Sequence, residues 1–301
     1  MKCLFLYNPN SGKGKIQKKL PLIERMLKTR YETVEIYATK SAEDLKARVA
    51  SAAEEYDAVV FSGGDGTFNL VLDGIGESRV RLGYLPSGTV NDVARSLGIP
   101  KNVKKALKVI VGGRCEQLDC MRVNETGYAM YIVAAGAFTG VTYSTPQRKK
   151  KWFGRFGYVF ECWKKHMKFN SFPIRVTCNG KTEEAKAVLV LVMNGRSVAG
   201  FPVNRKASMR DGKMEIAILR VREKMGFWGR VRAFFGIIGL FIRGAGFESK
   251  RLLRLYGEQI TIETDDEVVW DLDGEKGDTG NTQIRLLPKH VMMFVPKNKK
   301  I

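Results

Sequence analysis

Three glycine-bearing stretches and one acidic turn are the parts of this chain best suited to chemistry. The stretches are Asn8-Pro9-Asn10-Ser11-Gly12-Lys13-Gly14-Lys15, Gly63-Gly64-Asp65-Gly66-Thr67-Phe68-Asn69 and Pro86-Ser87-Gly88-Thr89-Val90-Asn91-Asp92. Glycine removes the Cβ and lets main-chain N–H groups approach phosphate oxygens, and a helix N-terminus just beyond adds positive potential. Ser11, Thr67 and Thr89 can add hydroxyl hydrogen bonds. Asp65, lodged between glycines, would repel a phosphate unless a divalent cation mediates, so it fits a magnesium network. Neither GxxxxGK[ST] nor GxGxxG can be laid on these stretches. Each alone has the bland alternative of a plain β–α turn; the combination is much harder to reach by accident.

The acidic turn is Trp270-Asp271-Leu272-Asp273-Gly274-Glu275. Adjacent carboxylates raise one another's proton affinity, which suits a general base acting on an alcohol. Its bland reading is a hairpin turn at Asp273-Gly274. Arg210-Asp211-Gly212-Lys213 likewise reads as a β-turn, and Asp119 as a strand-end carboxylate.

The elements around these motifs change character near Gly113. Before it, strands (Lys2–Tyr7, Tyr31–Tyr37, Ala58–Phe61, Val80–Leu85) alternate with helical stretches (Ile16–Thr29, Ser41–Glu55, Phe68–Ile75, Thr89–Leu97, Val103–Val111). That period means a parallel α/β unit, with all three glycine turns at the carboxyl ends of strands, where ligands of open sheets bind. After it, short alternating runs dominate: Gln117–Val123, Tyr128–Ala134, Ile174–Cys178, Ala187–Met193, Met214–Leu219, Gln259–Thr264, Val268–Leu272 and Ile284–Leu287. They predict an antiparallel β-sandwich. Val291–Val295 can add a strand back onto the first unit. The expected division is 1–114 with a return at 291–301, and 115–290 for the β-sandwich.

Composition narrows the classes. The 301 residues carry 51 Lys+Arg against 31 Asp+Glu, a formal charge of +20, and 44% are apolar, which argues against disorder. Two histidines and five cysteines without CxxC spacing leave no His-rich metal site, zinc site or disulfide framework, and the thiols suit a reducing compartment. The opening apolar run stops at Asn8-Pro9, too short for a signal peptide. The longest run, Ala233 to Ile242, is too short to span a bilayer. The expectation is a soluble protein, or one lying on a membrane.

The positive charge is concentrated. Residues 148–170 and 220–254 carry +7 each and are rich in Trp and Phe. Such mixtures suit an anionic bilayer surface or single-stranded nucleic acid, or are solvated helix faces with core aromatics. Lys149, Lys150, Lys151, Trp152 and Phe153 in the first, and Trp228, Arg230 and Arg232 in the second, are the candidate membrane contacts.

Taken together, NPNSGKGK, GGDGTFN, PSGTVNDVARSLGIP, VTYSTP and DGE resemble, in order and approximate spacing, the diacylglycerol kinase catalytic family, in particular the soluble bacterial lipid kinases. GGDGT alone is shared with NAD kinases and 6-phosphofructokinases. The resemblance implies an α/β nucleotide domain of the NAD kinase/diacylglycerol kinase type plus an antiparallel β-sandwich. It implies phosphoryl transfer from MgATP to a lipid hydroxyl, with diacylglycerol giving phosphatidic acid in phospholipid metabolism. Alternative acceptors are a sphingoid base, ceramide, a polyprenol, or NAD. ATP would touch Asn8, Pro9, Asn10, Ser11, Gly12, Thr39, the turn Gly63, Gly64, Asp65, Gly66, Thr67, Phe68 and Asn69, and Thr89. Glu275 would be the base. A structural Mg2+ would be held by Asp211 and the carbonyls of Ser208 and Lys213, linked by Asp119 through water to the active-site metal, with Asp65 joining the network. Phe68 in place of a smaller aliphatic, and Asn69 without a following Glu, depart from the family's pattern. The implied setting is cytoplasmic, peripheral to the inner face of the membrane, with an anionic lipid surface as partner, no nucleic acid, and room for a homodimer.

Overall fold

The structure is a computed structural model that describes residues 1–10, 14–125, 127–137, 170–221, 226–246 and 249–297, with only the backbone of Phe227. Ser11, Gly12, Lys149, Lys150, Lys151, Trp152, Phe153, the VTYSTP stretch and nearly all of the basic segment 148–170 lie outside the described residues.

The α/β part runs β1 (Lys2–Tyr7), α1 (Leu20–Leu27), β2 (Thr33–Ala38), α2 (Ala42–Glu55), β3 (Ala58–Gly63), α3 (Asp65–Ile75), β4 (Arg81–Pro86), α4 (Asp92–Leu97) and α5 (Val103–Val111). The strands lie parallel in the order β2-β1-β3-β4. β3 is buried throughout, as a strand covered by helices on both faces should be. Ser41 starts α2 as the sequence suggests, its Oγ accepting from the Asp44 N–H at 3.1 Å, a cap contributing about 1 kcal/mol. α3 begins at Asp65 rather than Phe68, because Gly64 is extended and the GDGT residues themselves form its first turn. α4 begins at Asp92 rather than Thr89, because Asn91 is left-handed with φ 54°.

The register settles where the loops go. Tyr7 lies opposite Ala38 on one side and Ser62 on the other, and Gly63 lies opposite Pro86. The strands therefore end level, and the segments following all four emerge at one edge of the sheet.

The rest of the chain is β5 (Cys115–Val123), β6 (Gly127–Ala129), β7 (Ile132–Gly136), β8 (Phe172–Cys178), β9 (Lys181–Met193), β10 (Met214–Val221), α6 (Phe227–Arg243), β11 (Leu252–Gly257), β12 (Gln259–Thr264), β13 (Val269–Leu272), β14 (Glu275–Thr279) and β15 (Thr282–Phe294). β15 replaces the two short strands expected at 284–287 and 291–295. Its register shifts between Leu287 and Val291, where Lys289 has φ 54°, and it joins the halves of the molecule. It pairs antiparallel with β5 and β12 and, at Met293 opposite Leu82, parallel with β4. From β12 the pairing continues through β8, β9, β7 and β13 to β14, and β10 links β9 to β11. Apolar side chains from these strands enclose a second core around Trp270, whose indole N–H donates to Gly280 O at 2.7 Å. The strand expected over Tyr128–Ala134 is broken in two at Met130-Tyr131, and the break belongs to the site.

Candidate active site

Two of the glycine turns are built as one object. The Gly63 carbonyl accepts from the amides of Ser87 (2.8 Å) and Gly88 (3.2 Å) and from the Tyr84 hydroxyl (3.3 Å). Asn91 spans its own turn, its Oδ1 accepting from the Gly88 N–H at 2.9 Å and its Nδ2 donating to Gly88 O at 2.8 Å. Gly64 and Gly88 then press backbone to backbone: a Cβ on Gly88 would stand 2.5 Å from the Gly64 Cα and 2.7 Å from Asn91 Oδ1. Neither neighbour can give way. Gly88→Ala is expected to cost about 1–3 kcal/mol, read as a lower midpoint in denaturant at unchanged m-value.

Thr39, at the end of β2, is buried and donates from both N and Oγ1 to Tyr7 O (2.9 and 3.2 Å). Asn8 starts the first loop with its Oδ1 on the Asn10 N–H at 2.8 Å. Thr89 is exposed at the rim. Phe68 is a core residue, packed edge-on against Phe61 and Tyr84, with its amide in the first turn of α3. Its side chain supports the turn from beneath rather than facing a ligand.

The hairpin between β13 and β14 crosses to this turn. Leu272 pairs with Glu275, and the two residues between them, Asp273 (φ 54°) and Gly274 (φ 94°), make the tight two-residue connection in which both central residues need positive φ. The acidic stretch is a hairpin turn, and Glu275 follows directly after its two central residues. Glu275 Oε1 lies so close to Gly66 that a Cβ on that glycine would overlap it. Asn69 Nδ2 donates to Leu272 O at 3.1 Å, so α3 and the hairpin are bonded one turn of helix away from that contact.

Two of the acidic side chains are held by main-chain N–H groups. The Asp271 carboxylate accepts from the Gly274 N–H at 2.8 Å. Asp273 points inward and accepts from the amides of Met130, Tyr131 (3.0 Å) and Ile132 (2.8 Å), and Tyr131 OH donates to its carbonyl at 3.1 Å. Those three N–H groups lie at the break between β6 and β7, so Asp273 anchors the hairpin that carries Glu275. Burial pushes the Asp273 carboxyl up, against the pull of the three donors.

Asp65 opens α3 and accepts from the Val93 N–H at 3.4 Å. Burial, then the neighbouring Asp92 carboxylate, pushes it up to about 6. Asp92, which sequence reasoning missed, is buried at the start of α4 and accepts from Ser197 Oγ and the Gly200 N–H (2.9 Å), tying the turn to the β-rich part. A carboxylate raised in the folded state contributes stability that is complete below its unfolded value and is lost as pH rises through its folded value. In chelator, Asp65→Asn is therefore expected to be more stable than the parent by on the order of 2 kcal/mol near pH 7.5, with the advantage gone by about pH 3. Thermal melts across that range check it.

The second acidic locus is the 208–213 turn. Asp119 is buried and accepts from the amides of Gly212 (2.9 Å) and Lys289 (2.8 Å), while Asp211 Oδ1 accepts from the Lys213 N–H at 3.2 Å. The structure thus brings Asp119 to the turn that holds Ser208, Asp211 and Lys213. Asn194, unforeseen from sequence, donates to the carbonyls of both Asp119 and Met130 at 2.9 Å. A hydrogen-bonded path therefore runs from this turn through Asn194 and Met130 to Asp273. Its only sequence signal is an Asn directly after a long apolar strand.

Among the described residues no group of three or more His, Cys, Asp or Glu side chains forms a metal cage. What is present is hard oxygen donors, one or two carboxylates at a time with main-chain carbonyls, and a carboxylate at Asp65 raised by burial and then by the neighbouring Asp92. That donor set fits magnesium, which is held by few protein ligands and keeps its waters.

Comparison with known proteins agrees with this architecture. Residues 2–123 match the diacylglycerol kinase catalytic domain, and residues 132–295 match the YegS C-terminal NAD kinase beta sandwich-like domain. The chain belongs to the diacylglycerol kinase family, a family of lipid kinases. The diacylglycerol kinase of Staphylococcus aureus (strain MRSA252) is 30% identical over 298 residues, covering 97% of this chain and 92% of its own length. That of Staphylococcus carnosus (strain TM300) is 29% identical, covering 98% and 95%. The crystal structure of a diacylglycerol kinase from Bacillus anthracis str. Sterne aligns with a TM-score of 0.77 at 26% identity, over 98% of this chain and 97% of that one. The fold is thus an α/β nucleotide-binding unit of this family joined to a β-sandwich.

Proposed function

We propose that the protein transfers the γ-phosphoryl group of ATP to the free hydroxyl of diacylglycerol, giving phosphatidic acid and ADP. The observation that carries this reading is the Glu275 carboxylate lying against Gly66, in the first turn of the helix that follows the Gly63-Gly64 turn. The Gly63–Asn69 turn, Asn8 to Asn10, Thr39 and Thr89 orient the triphosphate at the level edge of the parallel strands. The hydroxyl oxygen attacks the γ-phosphorus, the bond to the β,γ-bridging oxygen breaks, and Glu275 takes the hydroxyl proton. Phosphoryl transfer needs little covalent work from the protein, so positioning and charge neutralisation supply most of the acceleration. Asp65 at the nucleotide would help hold a magnesium that when bound neutralises charge developing on the phosphate oxygens, while Asp211 with the carbonyls of Ser208 and Lys213, near Asp119, would hold a structural magnesium. The chain works at an anionic membrane surface, where its acceptor is laterally concentrated.

Labelled ATP offered with a panel of lipid alcohols in mixed micelles tests the reading. Label is expected in diacylglycerol. Label confined to a sphingoid base, ceramide or polyprenol, or found in NAD, would contradict it.

A further inference from the structure

α6 is apolar on two opposite faces. Ala233, Phe234, Ile237 and Leu240 are buried against the β-rich part, with Gly236 over Leu219. On the other side Trp228, Phe235 and Ile242 are 72%, 65% and 52% exposed. Their spacing of seven drifts only about 20° per step around the helix, so they form one outward stripe, with partly buried Val231 and Ile238 alongside. Large apolar side chains are exposed singly on many proteins; three in line on one helix are not.

Beside this stripe lies a groove of about 1220 Å³, with Gly229 and Arg232 of α6 on one wall and strands β8, β9, β10 and β12 opposite. Its two carboxylates, Glu184 and Glu263, are both paired with Arg175. Lys186, Arg220, Arg232, Lys250 and Arg251 also line it, and no carboxylate partner for them is found among the described residues. α6 is not long and apolar enough to cross a membrane.

We infer that the outer face of α6 lies in the interfacial layer of an anionic bilayer, Trp228, Phe235 and Ile242 entering between lipids while the adjoining groove takes an acidic phospholipid headgroup. This rests on the lipid-kinase reading and gives it a docking face. Charge complementarity selects the occupant: five cations along an apolar stripe suit acidic lipid, whereas a second copy would bring like charge against like charge.

The test uses flotation with phosphatidylglycerol–phosphatidylcholine vesicles and with pure phosphatidylcholine vesicles. Phe235→Ser/Ile242→Ser is expected to lower recovery on the mixed vesicles about tenfold or more. Turnover of a water-soluble short-chain diacylglycerol, and the thermal midpoint, should stay close to the parent's. Lys250→Glu/Arg251→Glu should abolish the preference for mixed over pure vesicles. Recovery of either variant equal to the parent's would overturn the proposal, as would an apolar-face variant that changes only the oligomeric state in gel filtration. If flotation responds as expected while no lipid alcohol is phosphorylated in any format, the docking face stands and the kinase reading fails.

Discussion

Glu275→Gln is expected to lower kcat for lipid phosphorylation by about 10²–10⁴-fold while leaving the KM for ATP within a few-fold, because the amide keeps the side chain's size but cannot take a proton. The shape of the site gives a companion variant. A Cβ at Gly66 would meet only the far end of the Glu275 side chain, so Gly66→Ala should leave the fold nearly as stable as before while pushing the carboxylate off its position. It should lose activity in kcat by about tenfold or more without touching any acidic residue. Equal activity in both variants and parent would remove Glu275 from the proton-accepting role.

Asp273→Ala should carry the largest stability loss in the site. It strands the amides of Met130, Tyr131 and Ile132 in a buried place and puts a non-glycine residue without a compensating side chain at φ 54°. Each orphaned donor costs about 1–3 kcal/mol and such losses are not additive, so a total of order 4 kcal/mol is expected. Asp273→Asn keeps a carbonyl oxygen that can serve part of the same set and should lose markedly less. Urea unfolding of the two variants, with hydrogen exchange at residues 130–132, distinguishes a clamp from a merely acidic neighbour.

How far these features could be read from sequence depends on whether their causes are local. Glycine turns after apolar strands, a Ser41 cap and the Asp273-Gly274 hairpin are decided by a few adjacent residues, and each is visible in the chain. The parallel order and the convergence of the turns follow from the βα period. The partners of buried carboxylates are not local. Asp273 meets amides some 140 residues earlier, and Asp92 meets Ser197 and Gly200 more than 100 residues later. Nothing in the local pattern at Tyr128–Ala134 announces that a strand must break to supply those amides. β14 was equally hidden, because Glu275–Thr279 is a polar edge strand without alternation, and β11 lay inside a stretch dominated by its charge. The acidic stretch illustrates the difference: its composition suggested three interacting carboxylates, whereas the fold assigns Asp271 to the turn, Asp273 to the clamp and leaves Glu275 at the glycine turn.

The central claim is that Glu275 and the terminal phosphate of ATP share one place. A crystal structure with magnesium and a non-hydrolysable ATP analogue measures this directly. The account predicts the γ-phosphate over the Gly63–Asn69 turn, separated from the Glu275 carboxylate by a gap that a single hydroxyl group can bridge with a hydrogen bond of about 2.6–3.2 Å. A γ-phosphate held elsewhere along the strand edge, with the hairpin turned away from it, would contradict the account.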